Sequence, residues 1–181
     1  VLKNSYLKAM RQTERGAKAD TKAYIIPRKQ HDGITRDRLI NVLLGQGIEV
    51  QVSETGFNHE GRVYDVGTYV VSMAQPKQGV TRWLLGQTNY PDNTYTRYRD
   101  NRPIRPYDMS TDNIAEYFGV RADPVSTKVR IPLIIVQEPQ VKSIGTVVEN
   151  SNGYVIDGRQ NASFKALNQL MALGVKISRI D

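Results

Sequence analysis

The stretch AYIIPRKQHDGITRDRLINVLLGQGIEVQV, residues 23–52, decides the reading of the fold. Ala23–Ile26 is a short apolar run closed by Pro27, the pattern of a buried strand that stops where an amide is lost. Asp32 or Thr35 can cap a helix running to about Gly45, with Leu39, Val42 and Leu43 on one face. Gly47 is its C-terminal stop. Ile48, Val50 and Val52 then alternate with Glu49 and Gln51, which is strand periodicity. Strand, helix, strand predicts a βαβ unit, since parallel strands need a crossover.

Upstream, Leu2, Tyr6 and Met10 recur at helical spacing, predicting a lead-in helix that Gly16 stops. Downstream, Arg62–Tyr64 and Thr68–Met73 flank Asp65-Val66-Gly67 and read as a hairpin. Helices are predicted to about Gln87, with Val80, Trp83 and Leu84 inward, and over 111–118, capped by Ser110 or Thr111 and closed by Gly119. The polar run RADPVSTK, 121–128, marks a boundary between units 1–125 and 126–181. Val129–Val136 and Ser143–Val148 read as strands beyond it.

The opening stretch also repeats. AYIIPRKQ (23–30) matches GYVIDGRQ (153–160), and RLINVLLGQGIEV (38–50) matches KALNQLMALGVKI (165–177). Tyr24 aligns with Tyr154, Asn41 with Asn168, Leu43 with Leu170 and Gly47 with Gly174. The expected fold is therefore α/β: a mixed, largely parallel sheet flanked by helices, built from two related βαβ units, the second truncated.

Chemistry is harder to find. The chain has 181 residues, no cysteine and a net charge of +7. A thiol nucleophile, a zinc–thiolate site and disulfides are excluded. The charge favours anionic partners, but no nucleic-acid motif accompanies it, and solubility is the simpler reading. His31 and His59 lack zinc-ligand spacing. No nucleophile elbow or phosphate-binding glycine loop occurs, and no carboxylate pair can be assigned. Asn161-Ala162-Ser163 is a formal sequon that reads as a helix cap. No apolar run is long enough to span a membrane.

One segment stands out. Residues 89–107, NYPDNTYTRYRDNRPIRPY, interleave Tyr90, Tyr95, Tyr98 and Tyr107 with Arg97, Arg99, Arg102 and Arg105. Loops this long are uncommon in compact domains and are often functional. Tyr and Arg can anchor a protein interface, or stack on bases and pair with phosphate. They can also be a plain surface loop whose rings pack down and whose charges stay wet. Arg97, Arg99, Arg102, Arg105, Tyr98 and Tyr107 are the candidate contact residues.

AYIIPRKQHD, LINVLLGQGIEVQ, VGTYVVSMAQP, LLGQTNYPD and RPYDMSTDNIAEYFGV, in that order, resemble the region following the catalytic domain of large bacterial zinc carboxypeptidases of the carboxypeptidase A type. Residues 1–12 resemble the helix leading into it, and GYVIDGRQNASFKALNQLMALGVKISR resembles a second such unit. Proteins of that group often carry an α/β region resembling class I glutamine amidotransferases. The resemblance implies a secreted or periplasmic parent that removes C-terminal residues from peptides with zinc. Its zinc ligands and catalytic groups belong upstream, and none maps onto a residue here. The expectation is a non-catalytic accessory domain, with no cofactor of its own. Its partner would be the peptidase domain of the same chain, the peptide being the parent's substrate; self-association is a further option. The alternative is an independent module binding nucleic acid or another anion through the Tyr/Arg loop.

Overall fold

The central strand is β5 (Tyr69–Ser72), flanked by β1 (Ala23–Ile26) and β2 (Gln51–Ser53), with β6 (Asp123–Val125) and β7 (Leu133–Ile135) at the edges. The structure, a computed structural model, describes residues 1–87, 91–105, 113–140, 149 and 153–180. The helices are α1 (Leu2–Lys18), α2 (Gly33–Gly45), α3 (Gln78–Leu85), α4 (Ile114–Tyr117) and α5 (Asn161–Ala172). A separate two-stranded sheet pairs β3 (Phe57–His59) with β4 (Arg62–Tyr64).

Every neighbouring pair in the five-stranded sheet is antiparallel, which overturns the expected largely parallel sheet. The β1–α2–β2 unit does form, and β1 and β2 do point the same way. They are not neighbours, because β5 inserts between them. Two features account for this. Tyr69 and Val71 pack with the helices while Val70 packs on the opposite face, so β5 needs the slot most buried on both sides. Gly67, at φ +80°, turns the chain so that Gly67 N–H bonds Ser53 O and Ser53 N–H bonds Thr68 O, both at 2.9 Å. That pair starts an antiparallel ladder beside β2 before any parallel neighbour can form.

The hairpin expected between 62–64 and 68–73 is likewise replaced, since β4 pairs with β3. Glu60 and Gly61 both take positive φ, as a tight two-residue hairpin turn demands. Strands from both sides of residue 125 enter one sheet.

Alternation along β1 divides the core. Tyr24 and Ile26 meet Leu39, Ile40 and Leu43 of α2 on one face. Ala23 and Ile25 meet Val70, Val125 and the stacked Phe57–Tyr64 pair on the other, ring centroids 5.1 Å apart. Pro124 lies in the edge strand β6, where its missing amide discourages further pairing.

Gly16 does not stop α1. It lies inside the helix against the end of β5, where a Cβ would come within 1.7 Å of the Met73 carbonyl oxygen. Helix 111–118 begins instead at Ile114, capped by the Asn113 side chain; Ser110 and Thr111 lie outside the described residues.

The repeat holds for the helices and fails for the strands. Gly47 and Gly174 take φ of +69° and +73°, and Ile48 and Val175 donate backwards to Leu43 O and Leu170 O. Yet neither 153–160 nor 173–180 forms a strand. Tyr154 is 64% exposed where its counterpart Tyr24 is 4% exposed. The second βαβ unit is thus a helix whose flanks form no strand, and no described strand fills the place that β5 takes in the first. The strand expected at 143–148 lies outside the described residues.

The two helix starts meet at one carboxylate. Asp32 Oδ1 accepts from Ile34 N and Thr35 N, and Oδ2 accepts from Thr35 Oγ1 and, at 2.9 Å, from Asn161 N. Burial raises the Asp32 pKa, but these bonds outweigh it and hold the group below the usual carboxylate range. Asn161 also donates its side-chain amide to Thr35 Oγ1, so it braces α2 rather than capping α5. Among the described residues, no helix is long and apolar enough to cross a membrane.

Candidate functional site

Residues 91–105 are ordered by bonds among themselves. Asn93 caps a 3-10 turn, Thr94–Thr96, and Thr96 Oγ1 accepts the Asn93 amide in return. The chain then folds back, with Ile104 N–H on Thr96 O, Tyr98 N–H on Arg102 O, and Asn101 at φ +65° in the turn. Asx capping and a tolerated left-handed Asn explain how this proline-flanked sequence closes without regular structure.

The candidate arginines divide into two kinds. Arg97 makes a bidentate pair with Asp92 at 2.6 and 2.7 Å and reaches the Asn101 carbonyl at 2.7 Å. Hydrogen bonding between the two holds Asp92 below and Arg97 above their ordinary pKa values. Arg102 pairs with Asp100 at 2.6 Å and lies over the Tyr98 ring. Arg99 and Arg105 are exposed and have no hydrogen bond or ion pair among the described residues. Tyr95 is 90% and Tyr98 54% exposed, so these rings do not pack down onto the body. Tyr90 and Tyr107 lie outside the described residues. The loop therefore presents two tyrosines and two unpaired cations on a frame closed by the other two arginines.

The histidines do not meet. His31 is exposed. His59 Nε2 lies 3.1 Å from Thr127 Oγ1 at the tip of the β3–β4 hairpin. There Glu60 accepts from the hydroxyls and amides of Ser126 and Thr127 at 2.8–2.9 Å, which pulls its carboxyl down to about 2. This cluster ties the hairpin to the chain after β6. Among the described residues, no three of His, Asp and Glu gather as metal ligands.

A polar recess went unread in the sequence. Two adjoining cavities of about 540 and 500 Å³ share Thr21, Tyr24 and Arg82, between the end of α1, β1 and α3. Tyr24, a lone aromatic in an aliphatic strand, is the signal that could have revealed it. Comparison of the chain with protein-family models, with curated proteins and with solved structures finds no match.

Proposed function

We propose that this chain is a non-catalytic accessory domain of a zinc carboxypeptidase, exported with its parent, and that the loop 91–105 docks it to the peptidase domain. The family part rests on the ordered set of resembling segments. One observation carries the docking part. The loop is held by its own hydrogen bonds, yet Tyr95, Tyr98, Arg99 and Arg105 stay exposed, with Arg102 of the same loop lying over the Tyr98 ring. A backbone already held in place has little entropy left to lose on contact, and aromatic and arginine side chains are the usual anchors of interfaces. Asp92 and Asp100 offset two of the four arginines, which leaves less charge for an anionic polymer than the sequence suggested. Zinc and peptide chemistry would belong to the parent's catalytic domain.

The test is binding between this chain and the separately produced peptidase domain. Replacing Tyr95 and Arg99 together by Ala should weaken association about tenfold or more, the effect of losing ~1.4 kcal/mol or more of interface energy. Unchanged affinity in that variant, or no association of the parent pair, would refute the docking role.

A further inference from the structure

We infer that the recess between α1, β1 and α3 is a binding site for a small oxyanion, a carboxylate or phosphate group, held by Tyr24, Gln78, Arg15, Lys18 and Arg82. Two observations place polar groups there without partners. Tyr24 is 4% exposed and lines both cavities, and its hydroxyl has no hydrogen bond among the described residues. Gln78 is 5% exposed and lines the adjoining cavity, and its side-chain amide is likewise unbonded there. Among the described residues no sealed side-chain nitrogen or oxygen lacks a partner, so both groups open onto the recess, where water or a ligand oxygen can bond them. Both line the same cavity and offer donors to an acceptor that enters it.

The charge supports an anion. Arg15, Lys18 and Arg82 line the recess with no ion pair among the described residues, against the single lining carboxylate, Asp20. Burial pushes the Tyr24 phenol up and the Arg82 cation draws it only part of the way back. Tyr24 is therefore protonated at neutral pH and can donate. Gln78 donates through its amide, and the arginines supply charge-assisted bonds. Trp83, 69% exposed, forms a rim against which the carbon skeleton of a bound molecule can rest.

Trp83 is the only tryptophan of the chain, so its fluorescence reports on this recess directly. The chain is titrated with inorganic phosphate in one arm and glutarate in the other, with backbone amide shifts followed in parallel. A saturable change with either probe is expected, centred on Thr21, Gln78 and Gly86, and the responding arm identifies the group. Tyr24→Phe, which keeps the ring and its packing, should weaken binding several-fold. Arg82→Gln should weaken it about tenfold, as expected for one charge-assisted bond. Arg105→Gln, at a cation that lines neither cavity, should leave it unchanged. No response to either probe at tens of millimolar overturns the inference. So does unaltered binding in Tyr24→Phe and Arg82→Gln, or equal weakening by Arg105→Gln, which would reduce the effect to net charge.

Discussion

Gly16→Ala should destabilise the chain although alanine is the better helix former. Gly16 is the one buried residue of α1, and a Cβ there would lie 1.7 Å from Met73 O, 2.4 Å from its carbonyl carbon and 3.0 Å from Ala74 N. These are backbone atoms of the segment leaving the central strand, so they cannot rotate aside. The helix must back away, and α1 also supplies Gln12 Oε1 to the Gly79 amide at the start of α3. Overpacking of this kind costs about 3 kcal/mol at its usual upper end, and the helix gains back about 1 kcal/mol from Gly→Ala. The net loss of ~2 kcal/mol lowers the melting temperature by roughly 4–8 °C for a chain of this size. Gly45→Ala is the control: it sits in α2 with nothing within 4 Å, so helix propensity acts alone and stability should rise by ~0.5–1 kcal/mol. Melting curves followed by circular dichroism separate the two. If Gly16→Ala melts at or above the parent, α1 does not pack against Met73 as described.

Asp32→Ala removes the acceptor shared by α2 and α5 and should cost ~1–2 kcal/mol, with faster amide exchange at both Thr35 and Asn161; protection retained at Asn161 would contradict the bridge. Asp123 is buried beside Tyr64, Arg62 and Arg121; burial raises its pKa, but the bonds from Arg121 and Tyr64 outweigh it and the folded value lies below 3.8. Its contribution is thus present above pH 3.8 and lost as pH falls through the lowered folded value, whereas Asp123→Asn should show a flatter acid limb in pH-dependent melting. Glu60 behaves in the same sense, with stabilisation present above 4.5 and fading toward about 2, so Glu60→Gln should speed amide exchange at Ser126 and Thr127 at pH 7. Asp92→Asn should open the 91–105 loop to proteolysis at Arg97 and Arg99 while leaving the melting temperature within a few degrees, because the pair is exposed and worth little to global stability.

The local reading of residues 23–52 carried far, because caps and stops act over a few residues. Asp32 caps α2 and Gly47 ends it in the left-handed conformation. What the local pattern could not carry was pairing. A βαβ pattern fixes that β1 and β2 run the same way, but whether a third strand enters between them depends on Gly67 and on the two-faced apolarity of Tyr69–Val71, beyond the stretch itself. The repeat misled for the same reason. Gly174 and Leu170 reproduce the helix stop of Gly47 and Leu43, yet Asn41 bonds the backbone of Gln140 while Asn168 is exposed. Equal helices do not imply equal sheets when no described strand lies between their flanks. In the candidate loop, the arginines were visible as a composition but not as two classes, because Arg97 and Arg102 take partners set by the turn at Asn101. The recess at Tyr24 was hidden because its members come from three elements separated along the chain.

The most direct test of the accessory-domain account is made on the product of the whole gene that encodes this chain. Release of C-terminal amino acids from peptides is measured with and without a chelator, beside a protein carrying the Tyr95→Ala and Arg99→Ala substitutions. The account predicts release that chelation abolishes, and reduced release or weakened assembly in the substituted protein. A gene product without chelator-sensitive release contradicts the zinc carboxypeptidase assignment, whatever the loop binds.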